Sequence, residues 1–206
     1  MSVPPPDAPG QASLEDNKNF MNLYSRQIGA FGMEAMAKLV RLKVLLVGVR
    51  GVGVEVAKNL ILAGPGAVTL ADDGPATIED LGANFFLGEA DVGKARAEVC
   101  VPKLQPLNKM VKVSRHAGTL TEEVVAAHSA VVFTDARSQM ELSQWNTFCR
   151  ARGIGFIACG VRGAACFAFT DFGDAFTVRD ATGETTVTRI VKDITNAEEL
   201  LGRRSK

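Results

Sequence analysis

The sequence predicts a doubly wound α/β domain, a Rossmann-like, mostly parallel sheet with helices on both faces and an antiparallel β-rich C-terminal end. Three observations predict it. From about residue 20, short apolar runs alternate with segments of helical period. A glycine turn, "GVRGVG" at 48 to 53, joins the first apolar run to a helix. After Gly160 the helices stop, and strand-like runs follow one another across turn residues.

Taken in order, "MSVPPPDAPGQASLEDNKN" has three consecutive prolines, mostly polar residues and no apolar run of the signal-peptide kind, so residues 1–20 are expected to be a disordered arm. "KVLLVG" (43–48) is apolar enough for a central strand buried on both faces. The helix from about Val52 to Ala63 carries Glu55, Lys58 and Asn59 at i, i+3 and i+4, one wet stripe on an otherwise apolar cylinder. "AVTLAD" (67–72) is a second strand, "DVGKARAEVCVPKLQPLN" a helix opened by Asp91, and "VKVSRH" a third strand. "TEEVVAAH" is a short crossover, followed by "AVVFT" (130–134), a long helix from about Ser138 to Arg152, and "GFIACG" (155–160). "ACFAFTDF", "AFTVRD" and "TTVTRIV" then follow with only "DFGD" and "ATGE" between them, as in antiparallel strands. Residues 21–172 are expected to form the α/β domain, and 173–206 the start of a β-rich module cut short.

Composition narrows the function. Of 206 residues, 47% are hydrophobic, enough for a sizeable core. Lys plus Arg and Asp plus Glu are 23 each, so no basic excess points to nucleic acid or an anionic membrane. No apolar run has the length to span a bilayer, since "NLILAG" ends at Gly64-Pro65. Cys100, Cys149, Cys159 and Cys166 show no C-x-x-C spacing, and His116 and His128 stand alone, so the expectation is reduced thiols and no metal site.

Three constellations could carry chemistry. The first is Gly48, Gly51 and Gly53 with Asp72 about 20 residues on, placed to receive a ribose hydroxyl. Arg50 stands where the dinucleotide fingerprint has its second glycine, whose missing side chain lets backbone approach a pyrophosphate. The same glycines also suit a tight strand-to-helix turn with no ligand. The second is Arg26 in "YSRQIGAFG", either a solvated charge or a planar fork of donors offered to a neighbouring subunit's phosphates. The third is the run 72–99, "DDGPATIEDLGANFFLGEADVGKARAEV", whose bland reading is a crossover connection.

"SRQIGAFG", "KVLLVGVRGVGVEVAKNLILAG", "AVTLAD" and "DVGKARAEV", in that order, resemble the adenylation domain of ubiquitin-activating enzymes and their bacterial sulfur-carrier relatives, a ThiF-like superfamily. The resemblance runs from about residue 22 to 190. Its catalytic loop reads G-x-G-G-x-G, and Arg50 replaces the third-position glycine, as in the inactive half of eukaryotic activating enzymes. Gly74 stands at the second, metal-associated aspartate of the family's Asp-x-Asp. Asp80 and Ala83 stand at an asparagine and an arginine that serve ATP, and Arg96 at the lysine of D-x-G-x-x-K.

The resemblance implies an amino-terminal fragment comprising most of an inactive adenylation half. The parent enzyme would use Mg-ATP to adenylate ubiquitin's C-terminal carboxylate and then form a thioester on a cysteine outside this segment. The implied partners are the active adenylation half of the same enzyme, ubiquitin through the full enzyme, and a second copy of the fragment. Arg26 would act in trans on the partner half's ATP site, no cofactor would bind in cis, and the location would be cytoplasmic and nuclear. Two other classes stay open: a self-contained homodimeric sulfur-carrier-type adenylating enzyme, and an NAD-dependent oxidoreductase built on the glycine turn and Asp72.

Overall fold

The computed structural model describes residue 14 and residues 17–175. All of them fall in the first of two compact units, Met1–Phe176. The runs "AFTVRD" (175–180) and "TTVTRIV" (185–191) lie outside the described residues except for Ala175, as do the rest of the β-rich module from 176 on and most of the N-terminal arm.

The stretch read as an arm already turns helical before residue 20. Helix α1 (Lys18–Leu23) begins at Asn17, whose Oδ1 accepts from the Phe20 N–H at 3.1 Å. Helix α2 (Ser25–Leu39) follows and breaks at Gly32, whose φ of 81° and ψ of 160° leave the helical region. Strand β1 (Lys43–Val47) then enters the sheet, and helix α3 (Gly51–Ala63) leaves its end.

Strand β2 (Ala67–Ala71), the single turn of helix α4 (Ile78–Leu81) and helix α5 (Arg96–Leu104) come next. Strand β3 (Lys112–His116), helix α6 (Glu122–Ala126) and strand β4 (Ala130–Phe133) follow, and then helix α7 (Gln139–Arg152), strand β5 (Gly155–Arg162) and strand β6 (Ala165–Asp171).

The six strands form one sheet in the order β3-β2-β1-β4-β5-β6. The pairs among β1 to β5 are parallel, and β6 runs antiparallel to β5. β1 is central, and its alternate side chains feed two cores. Val44 and Leu46 pack with Val54, Ala57 and Ile61 of α3 and with Cys100 and Leu104 of α5. Leu45 and Val47 pack with Val125 of α6 and Cys149 of α7. Each fully buried aliphatic side chain contributes roughly 1.5–3 kcal/mol, so this central strand cannot slip by one residue without exchanging both cores at once.

One element opens elsewhere than its sequence suggests. Asp91 does not cap the helix that follows; it ends a 3-10 turn (Glu89–Asp91), and α5 starts at Arg96 after Ala95. The intervening residues form a turn, with Gly93 at a φ of 88°, that is tied to the loop after β2 through Gly93 N–H to Ala76 O at 2.8 Å and Ala76 N–H to Lys94 O at 2.7 Å. A tertiary pairing thus overrides a good local capping signal. Asp91 instead accepts from Gly88 N–H at 3.0 Å and from Lys103 Nζ at 2.6 Å.

His128, half-buried at the end of α6, has Val124 O 2.7 Å from Nδ1 and Thr69 Oγ1 3.0 Å from Nε2. Burial, opposed by the Val124 hydrogen bond and helped by Lys43 and His116, pushes its pKa below the ordinary 6.5. Between that lowered value and 6.5 the unfolded chain holds the extra proton, so His128 contributes stability above about pH 6.5 that is lost as pH falls through the folded value. Unfolding midpoints measured from pH 8 to 5 should be level at first and drop below pH 6.5, and His128→Gln should shrink that drop. The lowered carboxylates, Asp73 and Asp171 among them, act only at more acid pH.

Candidate functional site

β1 and β4 are neighbours, and the chain leaves β1 toward β2 but leaves β4 the other way, toward β5, which opens a crevice at the strand ends. A cleft of about 1320 Å³ occupies this place, with Gly48, Arg50, Asp72, Asp135, Trp145 and Phe167 in its lining. In size and position it is a nucleotide-scale cleft. Its polar groups decide what it can hold.

The glycine turn is built for a close contact between backbones. A Cβ on Gly53 would overlap the carbonyl oxygen of Gly48, so the missing side chain lets α3 start directly over the end of β1. Thr134 Oγ1 donates to that same oxygen at 2.8 Å. The next residue is engaged on both sides, since Val49 N–H donates to Asp72 Oδ2 at 2.7 Å and Val49 O accepts from the fully buried Asn84 Nδ2 at 2.9 Å. A Cβ on Gly51 would lie 2.9 Å from Ala83 Cβ, so the room over the turn is partly taken by the chain's own 80–84 segment.

Asp72 is saturated. Its Oδ2 accepts from Val49 N–H at 2.7 Å and Arg96 Nε at 2.9 Å, and its Oδ1 accepts from Gly74 N–H at 3.0 Å and Arg96 Nη2 at 2.9 Å. A carboxylate offers about four acceptor sites, and all are filled from within the chain. Arg96 uses its third nitrogen as well, donating from Nη1 to Pro75 O at 2.7 Å and to Asp80 Oδ2 at 3.2 Å.

Asp80 Oδ2 also accepts from Thr77 N–H at 3.0 Å, which caps α4, while its Oδ1 lies 3.5 Å from Arg50 Nε. The result is an alternating chain of charge, Asp72, Arg96, Asp80 and Arg50, running from the buried floor to the two-thirds-exposed Arg50 side chain. Burial works against the Arg96 charge, but the hydrogen bonds and charges of Asp72 and Asp80 outweigh it and hold the guanidinium protonated more firmly than in water.

The neighbouring Asp73 accepts from Arg115 Nη2 at 2.8 Å and from Gly118 N–H. The Arg115 bond first, then the Gly118 bond, lower its pKa.

Arg26 lies outside this crevice. Its side chain is exposed and makes no hydrogen bond or ion pair among the described residues, and it borders a second cavity of about 710 Å³ with Leu62, Leu107 and Lys109. Tyr24, two residues earlier, fixes where it starts. The Tyr24 ring is buried 4.9 Å from Phe20, and its hydroxyl accepts from the buried Asn108 Nδ2 at 2.8 Å, which also donates to Ile61 O at 2.9 Å. Asn84 and Asn108 hold the two key loops and were not singled out in the sequence, where an asparagine before aromatics or two residues after a proline looks like any loop residue.

Among the described residues, no group of three or more His, Cys, Asp or Glu side chains is placed to hold a metal, and no helix is long and apolar enough to cross a membrane. Cys100 and Cys149 are buried, Cys159 is half-buried and Cys166 exposed. Burial pushes the Cys149 thiol up to about 11, and raises Cys100 and Cys159 too.

The chain matches the model of the ThiF family over residues 24–194. It is 44% identical over 191 residues to ubiquitin-activating enzyme E1 1 of Triticum aestivum, covering 91% of this chain and 18% of that protein. It is 42% identical over 173 residues to ubiquitin-like modifier-activating enzyme 1 of Homo sapiens, covering 84% of this chain and 16% of that protein. The chain therefore spans less than a fifth of the length of the curated relatives it matches. Among solved structures, E. coli MccB with succinimide is similar with a TM-score of 0.59 at 25% identity, covering 68% of this chain and 45% of MccB.

With a chromogenic disulfide reagent at neutral pH, Cys166 should react at once, whereas Cys100 and Cys149 should react only at the rate of unfolding. Rapid modification of Cys149 in the folded chain would contradict its burial and raised pKa.

Proposed function

The chain belongs to the ThiF family, and on that premise we propose that it is the non-catalytic adenylation half of a ubiquitin-activating enzyme, serving as scaffold and as donor of Arg26 to a partner half. The named relatives support the enzyme class, since two activating enzymes match at 44% and 42% identity over nearly the whole chain. The proposed parent reaction joins ubiquitin's C-terminal carboxylate to the adenylyl group of ATP with release of pyrophosphate, and then transfers the acyl group to a cysteine outside this segment. The proposed location is cytoplasmic and nuclear.

One observation carries the assignment to a non-catalytic half: all four acceptor sites of Asp72 are taken by Arg96 and by the backbone of Val49 and Gly74. The residues of the crevice do not fit Mg-ATP. A ribose hydroxyl at the end of β2 would meet an Asp72 already engaged on both oxygens. Where a second aspartate would hold the metal, Gly74 supplies no oxygen, and the cation already present is a guanidinium.

The scaffold role follows from what is left exposed. Leu23 and Phe31 on the N-terminal helices are 58% and 68% exposed, a surface suited to the active half of the same enzyme or, in the isolated chain, to a second copy. Arg26 is free, charged and carried on a helix whose start is pinned by Tyr24 and Asn108. A guanidinium presented across such an interface can hold phosphate oxygens with paired N–H donors and stabilise charge that develops as pyrophosphate leaves. The donating half need bind no nucleotide to do so.

Calorimetric titration of the chain with Mg-ATP, and separately with NAD, should give no saturable heat; saturable ATP binding would favour the self-contained adenylating enzyme, and NAD binding the oxidoreductase. In the intact enzyme that contains this segment, Arg26→Ala should slow ATP–pyrophosphate exchange by about 100-fold or more while leaving the fold of this half intact by circular dichroism. An unchanged exchange rate would remove Arg26 from the reaction.

A further inference from the structure

We propose that Arg96 is a built-in cation that locks this chain's own crevice against nucleosides, and that Gly74 is the residue that makes room for it. The proposal rests on the non-catalytic reading above but goes further. That reading treats Arg50, Gly74, Asp80 and Arg96 as separate departures from a nucleotide-binding pattern, whereas the geometry makes them parts of one device.

The coupling is steric first. A Cβ built on Gly74 would overlap Arg96 Nη2, with Arg96 Cζ 3.0 Å away and Asp72 Oδ1 at 3.1 Å. Any side chain at 74 therefore competes with the guanidinium for the same space, so an acidic residue there and an arginine at 96 in this pose exclude each other. The guanidinium takes an acceptor position on each oxygen of Asp72 that a ribose diol would need, and does so with both N–H groups of its fork, the strongest geometry available to the pair.

The coupling is also electrostatic. An arginine facing Asp72 alone would have Nη1 aimed into the loop with only the Pro75 carbonyl to meet. Asp80 supplies the second carboxylate at 3.2 Å, and its other oxygen faces Arg50 at 3.5 Å. Two anions thus alternate with two cations, and the three most buried members are each flanked by opposite charge. Arg50, which no phosphate loop would tolerate at the close-approach position, closes the outer end of the series. The lock also holds the turn itself, because Asp72 is the acceptor for Val49 N–H.

Releasing Arg96 should return Asp72 to a ribose diol. Removing Arg96 alone would strand two buried carboxylates, so the test uses the charge-balanced pair Asp80→Asn with Arg96→Gln, in which the asparagine oxygen can still cap Thr77 and Asp72 keeps its two backbone donors. Titrated with adenosine in a calorimeter, the double variant should bind at least about tenfold more tightly than the unaltered chain. Silence from a double variant that is folded by circular dichroism would overturn the lock. Saturable binding by the unaltered chain would instead overturn the non-catalytic reading, so the two failures are distinct.

If the double variant does not fold, Gly74→Ala carries the test without changing any charge. It should lower the melting temperature and abolish the slowly exchanging Arg96 Nε–H signal in nuclear magnetic resonance spectra. Gly82→Ala, where a Cβ has only the Glu79 carbonyl oxygen at 3.5 Å, should do neither. Equal behaviour of the two alanine variants would overturn the proposal.

Discussion

The Asp72 carboxylate is the point at which the elements around the crevice are joined. It sits one residue beyond β2, receives the Val49 N–H from the turn after β1, the Gly74 N–H from its own loop and the guanidinium of Arg96 from the first turn of α5. Three segments distant in sequence thus meet at two oxygen atoms. Removing one member of a buried, hydrogen-bonded ion pair typically costs about 3–5 kcal/mol, a large share of a domain's stability, because the partner charge is left in low dielectric without compensation. The same pair is weak evidence of stabilisation relative to an apolar replacement. Its structural consequence is a link: the loop after β2 is tied through one carboxylate to the turn after β1 and to the start of α5.

That arrangement explains how the crevice keeps the outline of a ligand site while the acid on its floor is engaged from within the chain. The topology supplies the cleft where the chain leaves β1 toward β2 and β4 toward β5, and the glycine turn supplies a helix start above it. Whether such a cleft binds anything depends on unspent hydrogen-bonding capacity. Here the floor acid is saturated, the neighbouring acid Asp73 is engaged by Arg115 and Gly118, and Ala83 lies over Gly51. A similar economy operates at the N-terminal helices, where Asn108 spends its donors on the Tyr24 hydroxyl and Ile61 carbonyl. That contact ties the helix carrying Arg26 to the end of α3 and leaves the Arg26 guanidinium uncommitted. The two arginines have opposite fates because one starts a helix packed into the crevice and the other lies on a helix at the exposed surface.

Much of the fold was legible in the chain because it depends on local, periodic properties. The apolar run at 43–48 became the central strand, Ser138 caps α7 by accepting from Glu141 N–H at 3.2 Å, and Gly153 ends it with φ of 67°. The β1 to β5 strands and the antiparallel turn to β6 followed from alternation of short apolar runs with helices and from its failure after Gly160. The opening of α5 was not legible at Asp91, since the residues between it and Arg96 are held in a turn by backbone pairing to the loop after β2. No local pattern carries that information.

The site divides along the same line. The sequence by itself determined the parts: a glycine turn with a misplaced arginine, an acid at the end of the second strand, and an unmatched arginine before the first, each a matter of residue type at a given spacing. Only the tertiary structure decided that Asp72, Arg96, Asp80 and Arg50 form one alternating series and that Gly74 is small because a guanidinium needs its space. The physical reason is range. Periodicity and turn chemistry act between residues a few positions apart, whereas the saturation of a carboxylate depends on donors 2, 23 and 24 residues away that meet only when the sheet and its crossover helices have assembled.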